Sequence, residues 1–190
     1  MKMNFESGPK EKLNFPEGLT QKDIALVKLQ CEYQHATSKE QVEGFAKAYK
    51  KAKELSEKEE KLKKITSQEV LDLMLELGAL SEKEAGGRFR IADVMIEGAK
   101  QQPLSGKQVY QAICMFAEKY AEFMQQPPTE EEKKMYGGMA PNPKNLYKEF
   151  EEIHPFLDGN GRVGDLFWKI AVKRETGKWP ESLPPEVFKE

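Results

Sequence analysis

The sequence predicts a mainly α fold, a helical bundle carrying one short β-hairpin. Three observations predict it. Apolar residues recur at i, i+3, i+4 and i+7 through most of the chain, and capping residues and glycines punctuate those runs. Period-two alternation appears in a single place, over residues 86–104. A chain of 190 residues suits one domain with a sizeable core and leaves room for a small appended region.

Residues 1–19, with Pro9, Pro16 and two glycines, read as a loosely held arm. From Thr20 the pattern is helical, with Ile24, Val27 and Cys31 in one row and Leu26, Leu29 and Tyr33 in another. A second helix carries Val42, Phe45, Ala46, Tyr49, Ala52 and Leu55 on one face. Ser56 with Glu59 either restarts this helix through a capping box or lies inside a continuous one. Thr66 and Glu69 make a clearer box before Val70, Leu71, Met74 and Leu77, with Gly78 at or near the helix end. The hairpin follows: Phe89 and Ile91 alternate with Arg88 and Arg90, and Val94 and Ile96 alternate again after Ala92–Asp93. Next comes an amphipathic helix with Val109, Ile113, Phe116, Tyr120 and Met124 inward, stopped by Pro127–Pro128. Thr129 and Glu132 cap a short acidic helix up to Tyr136. Asn142–Pro143 is a cap and first-turn pair for a helix burying Leu146, Phe150 and Ile153. A last helix with Val163, Leu166, Phe167 and Ile170 closes at Lys173, Arg174 and Gly177. The Pro-rich tail after it reads as irregular, and no repeat is present. Residues 1–64 thus read as an arm and helical extension, and 65–190 as the main domain.

Composition narrows the function. No apolar run reaches membrane-spanning length, and the N-terminal MKMNFESGPKEK lacks the apolar stretch of a secretory signal; a cytoplasmic protein with no membrane partner is expected. A net charge of −2 gives no basic footprint for nucleic acid. The Lys/Glu run from Lys47 to Lys64 reads as a solvated helix face. Cys31 and Cys114, far apart in helical patterns, are expected to be free buried thiols.

The chemistry concentrates in His154-Pro-Phe-Leu-Asp-Gly-Asn-Gly-Arg162, a turn between the last two helices. Backbone N–H groups at a helix N-terminus are unpaired donors in a positive dipole field. Gly159 and Gly161 leave room for a phosphate to approach them, and Arg162 adds a fork of donors suited to phosphate oxygens. Asp158 conflicts with an anion unless it holds Mg²⁺ against the phosphates. His154 at the other end of the turn is placed to take a proton from a hydroxyl. A Ca²⁺ loop is excluded, because the alternating acidic ligands and the later Glu are missing. These groups together describe attack of an acceptor hydroxyl on a nucleotide phosphate.

Those nine consecutive residues resemble the signature of the Fic family, HPFx(D/E)GNGRxxR, and residues 87–103 are similar to its flap; the likeness covers roughly residues 65–177. The resemblance implies a Fic-type helical bundle that transfers a nucleoside monophosphate, usually AMP from ATP, to a Ser, Thr or Tyr hydroxyl of a target protein. It implies His154 as general base and Asp158 as Mg²⁺ ligand. Gly159, Asn160 and Gly161 would form the anion hole, Arg162 would lie on the phosphates, and Phe156 would anchor the loop. Arg88, Phe89, Arg90, Ile91 and Val94 would form the flap that clamps the target. It also leaves room for a regulatory protein partner, as in toxin–antitoxin pairs.

One position departs. The signature's second arginine falls at Asp165, an anion where the pattern has a cation. Three arrangements follow: a different donor or pose, with Asp165 joining Mg²⁺ or Arg162; a catalytically weak binding module; or a helix N-terminal acid turned away from the ligand. Donors of UMP, phosphate or phosphocholine fall within the first. The family's inhibitory pattern (S/T)xxxE(G/N) has candidates at Ser7/Glu11, Ser56/Glu60 and Ser182/Glu186, but Lys12, Lys61 and Val187 follow them, so none matches.

Overall fold

In the computed structural model, which describes residues 12–97, 102–137 and 140–186, the helices follow one another as α1 (Gln21–Tyr33), α2 (Lys39–Ser56), α3 (Glu59–Leu62), α4 (Ser67–Ser81), α5 (Gly106–Gln125), α6 (Glu130–Tyr136), α7 (Pro143–Ile153) and α8 (Asn160–Thr176). The mainly α prediction holds. Thr66 with Glu69 and Thr129 with Glu132 close the capping boxes the sequence predicts, and Thr20 with Asp23 and Ser38 with Gln41 close two more. Asn142 caps α7 on the Asn145 N–H at 2.9 Å, with Pro143 in the first turn. The Ser56–Glu59 box does not form. Ser56 ends α2 with its hydroxyl on the Lys53 carbonyl, so α3 starts after Lys58 without a side-chain cap. Gly78 lies near the end of α4, as expected, one turn before Glu82, whose N–H donates to its carbonyl; the Phe156 ring and the Gly87 backbone press against the helix there.

The fold is built around α8. From Asn160 to Ala171 every residue is buried except Trp168, because α7, α2, α4 and α5 all pack on this helix. A helix enclosed on all sides reads as apolar all round, yet α8 carries Arg162, Asp165 and Lys169 inward. Phe116, Tyr120, Phe150 and Phe167 form an aromatic cluster beside it, with the Tyr120 hydroxyl donating to the Phe167 carbonyl at 2.9 Å. Val27, Cys31, Phe45 and Tyr49 belong to the same core as Met74, Ile113 and Leu166, so α1 and α2 pack on the rest of the bundle directly. The described part of the N-terminal arm is also docked, through Leu13, Phe15 and Leu19. Residues 1–11 lie outside the described residues. Cys31 is a buried free thiol, and Cys114 is free but only half-buried. Among the described residues no helix is long and apolar enough to cross a membrane.

The predicted hairpin is not seen. Among the described residues there is no strand; residues 88–97 run irregularly through Ala92–Asp93, where the turn was expected, and 98–101 lie outside the described residues. The physical reason is that other groups take the hydrogen bonds a ladder would make. The Arg90 N–H donates to the Pro155 carbonyl at 2.8 Å. Its guanidinium donates to the carbonyls of Ala92, Leu104, Ile153 and His154, and Asp93 accepts the Gly106 N–H. One arginine side chain here does the stitching of a strand pair.

A Cβ on Gly44 would overlap the Leu80 carbonyl oxygen where α2 crosses α4. Gly44→Ala is therefore expected to destabilise the fold by about 1–3 kcal/mol, despite alanine's better helix propensity. The shift of the urea midpoint at unchanged slope measures it; a stabilised variant would contradict this packing.

Candidate active site

His154 ends α7 in the left-handed conformation, φ 51° and ψ 64°. Such geometry is unfavourable for a side-chain-bearing residue by about 1–2 kcal/mol and has to be held. The N–H of His154 donates to the Phe150 carbonyl at 2.9 Å, and its carbonyl accepts Arg90 Nε at 2.6 Å. Nδ1 is enclosed without a hydrogen-bond partner, 4.0 Å from Glu151 Oε2, so Nε2 is the nitrogen with access to the outside. Burial, then the Arg90 charge, push the imidazole down to about 4, while the Glu151 backbone and Asp158 pull the other way. At neutral pH His154 is an uncharged base.

The turn that follows is clipped by Asn160. Its Oδ1 accepts the Phe156 N–H and its Nδ2 donates to the Phe156 carbonyl, each at 2.8 Å. Phe156 is wholly buried against Phe89, with ring centroids 5.8 Å apart. Gly159, at φ 84°, turns the chain into α8, whose N-terminus has no side-chain cap. Asp158 accepts the Gly159 N–H at 2.5 Å and has Arg162 3.7 Å from its Oδ1, with its side chain 65% exposed.

The structure places several predicted site residues differently from the expectation. Arg162, 1% exposed, does not face the loop mouth: its guanidinium donates to the Ser81 carbonyl and to Glu82 Oε2 at 3.0 Å, with Asp158 Oδ1 at 3.7 Å. Gly161 leaves room for the Gln34 carboxamide, which lies against its Cα. Asp165 pairs with Lys169 one turn on, at 3.3 Å, rather than with Arg162, and both its oxygens lack a hydrogen-bond partner. Burial outweighs Lys169 and pushes its carboxyl up to about 6. In the flap segment Arg90 is turned inward and is not available to a target. Phe89 packs on Phe156, Val94 is half-buried, and Arg88 and Ile91 are exposed.

His154 lines a cavity of about 540 Å³ together with Gln30, Tyr33, Tyr147, Glu151, Gly161 and residues 183–186 of the tail. A larger and more open groove of about 810 Å³ between α2 and the end of α4 contains no such base. Sequence reasoning missed Glu151, Gln30 and Gln34. An acid on the inward face of α7, three residues before the histidine, is a signal that could have flagged Glu151. Nothing local marks the two glutamines, which reach the loop only through the packing of α1.

The Fic/DOC family model matches residues 59–170 of the chain. Comparison with curated proteins gives no match.

Two outcomes follow from this geometry. Asn160→Ala strands the Phe156 N–H and carbonyl inside the protein, and is expected to cost about 2–4 kcal/mol in denaturant unfolding; a change below 1 kcal/mol would mean that the clip is dispensable. Burial, then Asp165, push Glu151 up to about 8 from an ordinary value of 4.5. The folded state therefore holds a proton that the unfolded chain has lost between those two values, and stability falls as pH rises through that window. From about pH 7.5 to 8.5 His154 and Asp165 are largely deprotonated in both the folded and the unfolded state, so the difference between wild type and a Glu151→Gln variant reports Glu151, at most about 1.4 kcal/mol per pH unit. Urea unfolding of wild type and Glu151→Gln across that range should show the fall in wild type and its reduction in the variant.

Proposed function

The chain belongs to the Fic/DOC family, and on that premise we propose that it transfers a nucleoside monophosphate from a nucleoside triphosphate to a Ser, Thr or Tyr hydroxyl of a protein target. The observation that carries this reading is His154 on the wall of a cavity, at one end of the turn that leads to the uncapped N-terminus of a 17-residue helix. A base and an anion-binding helix end are the two groups such a transfer requires.

His154 Nε2 accepts the proton of the target hydroxyl as its oxygen bonds to the α-phosphorus; the bond to the pyrophosphate oxygen breaks and pyrophosphate leaves. The first N–H groups of α8 face the charge on the transferred phosphate. Asn160 keeps the turn in shape through Phe156, and Arg162 fixes the start of α8 to the end of α4. Asp158 is an exposed carboxylate beside this helix end, which fits Mg²⁺, an ion that commonly takes one or two carboxylates together with substrate phosphates. When bound there, Mg²⁺ would neutralise charge on the phosphates. Arg88 and Ile91 are the exposed residues that a target segment would meet on the flap.

A second reading is favoured by one specific observation: neither Arg162 nor residue 165 offers a free cation to a triphosphate tail. In that reading the site takes a donor of UMP, phosphate or phosphocholine, or binds a ligand without transferring it.

Incubation of the protein with Mg²⁺, labelled nucleoside triphosphates and cell lysate tests the first reading. Label is expected on protein, and His154→Ala should lower its rate of appearance by about 10²–10⁴. With the imidazole already neutral, the wild-type rate should show no loss attributable to His154 on lowering the pH from 8 to 6. Absence of His154-dependent label with every nucleotide would reject nucleotidyl transfer.

A further inference from the structure

The tail that follows α8 is fastened to the bundle by side chains. Trp179 Nε1 donates to the Tyr49 hydroxyl at 2.7 Å, and the two rings meet edge to face with centroids 5.6 Å apart. At the surface Lys22 pairs with Glu181 at 2.9 Å, and the Tyr33 hydroxyl donates to Glu186 Oε1 at 3.3 Å. Between these two points of the chain lies a buried contact. The Lys169 ammonium of α8, 0% exposed, donates to the Ser182 carbonyl. The next four residues, 183–186, line the cavity that His154 also lines.

A lysine enclosed in a bundle needs both a counter-charge and a hydrogen-bond acceptor. Asp165, one turn earlier, supplies the charge at 3.3 Å, the Ser182 carbonyl supplies the acceptor, and the Trp168 ring centroid lies 5.2 Å from the ammonium. Burial works against the charge on both members of the pair, and each partner pulls the other back. An arginine at position 165, as in the family signature, would instead set two cations together inside the core. Past Ser182, Pro184 and Pro185 fix their own φ and stiffen the segment. A stiff segment takes its direction from the point where it is held.

We propose that Lys169, with Asp165 as its counter-ion, is a positioning residue of the site: it latches the tail at Ser182, so that residues 183–186 stand as a fixed wall of the His154 cavity and limit which molecules reach the imidazole. The acid at 165 thus serves the tail rather than a nucleotide. Only the identity of the molecules admitted rests on the transfer reading; the latch and the wall do not.

The chain has two histidines, of which His35 is exposed and the His154 side chain is 17% exposed. Diethyl pyrocarbonate acylates uncharged imidazole, so its reaction with His154 reads the wall, with His35 as reference in the same molecule. The full chain is treated at pH 7 and both sites are followed by peptide mass spectrometry, alongside amide hydrogen exchange of residues 179–186. Replacing both members of a buried ion pair by apolar side chains is often tolerated. Asp165→Val/Lys169→Met, shown to be folded by circular dichroism, therefore removes the latch and spares the bundle. It should speed exchange in the tail by about tenfold or more, as loss of a hydrogen bond from a charged group implies, and raise the His154-to-His35 rate ratio by about threefold or more. Lys22→Ala, which removes an exposed contact of the same tail, should change both by less than about twofold. An unchanged exchange rate or rate ratio in the folded double variant overturns the proposal, as does an equal effect of Lys22→Ala. Should the double variant not fold, Pro184→Gly/Pro185→Gly, a change confined to the tail, decides alone: it softens the wall, and an unchanged His154 ratio overturns the proposal. These readouts use neither nucleotide nor target. A failure here leaves His154-dependent labelling intact, and the absence of labelling leaves the latch intact.

Discussion

The buried guanidinium of Arg162 holds three helices in register. It donates from α8 to the Ser81 carbonyl and the Glu82 carboxylate at the end of α4, and Glu82 also accepts Gln41 of α2 at 2.8 Å. Burial alone would raise the Glu82 carboxyl, but the bonds from Gln41 and Arg162 outweigh it and hold the group below its usual range. A charge enclosed this way is expensive to strand: losing one partner of a buried pair typically costs about 3–5 kcal/mol. The start of α8 is therefore pinned where α4 ends. The turn from His154 to Gly159 inherits its position from that point.

Arg90 performs a parallel service on the other side of the turn. Its donors gather carbonyls from the flap segment, from the end of α7 and from the chain leading into α5. Because one of these carbonyls belongs to His154, the arginine both fixes the left-handed backbone of that residue and lowers the basicity of its ring. Structure and reactivity are coupled through one side chain: the group that shapes the base adds its charge to the burial that keeps the ring neutral.

Much of this was legible in the sequence, for identifiable reasons. Helix spans follow from apolar spacing, and Thr66, Thr129 and Asn142 mark their own starts because a cap is a local hydrogen bond between neighbours in the chain. The nine-residue turn that carries the family likeness is local in the same way, a run of neighbours in the chain. What escaped was non-local. Arg90 alternates with Phe89 and Ile91 like a strand residue, and only the fold shows that its donors are spent on carbonyls up to 64 residues away. Arg162 looked like a phosphate ligand because nothing near it in the chain reveals Ser81 or Glu82. The fate of Asp165 depended on how deeply α8 is enclosed, which is a property of the whole bundle rather than of the helix.

The cavity is divided between two kinds of sequence. Its base and its glycine turn lie within the region that the family model matches, residues 59–170, whereas Gln30, Tyr33 and residues 183–186 lie outside it. The walls of the cavity are thus drawn partly from segments outside the region that the family model covers. A change of ligand could be reached through those segments without touching the residues that hold the histidine. In a protein arranged like this, ancestry is recorded in one wall of the site and individuality in the wall that faces it.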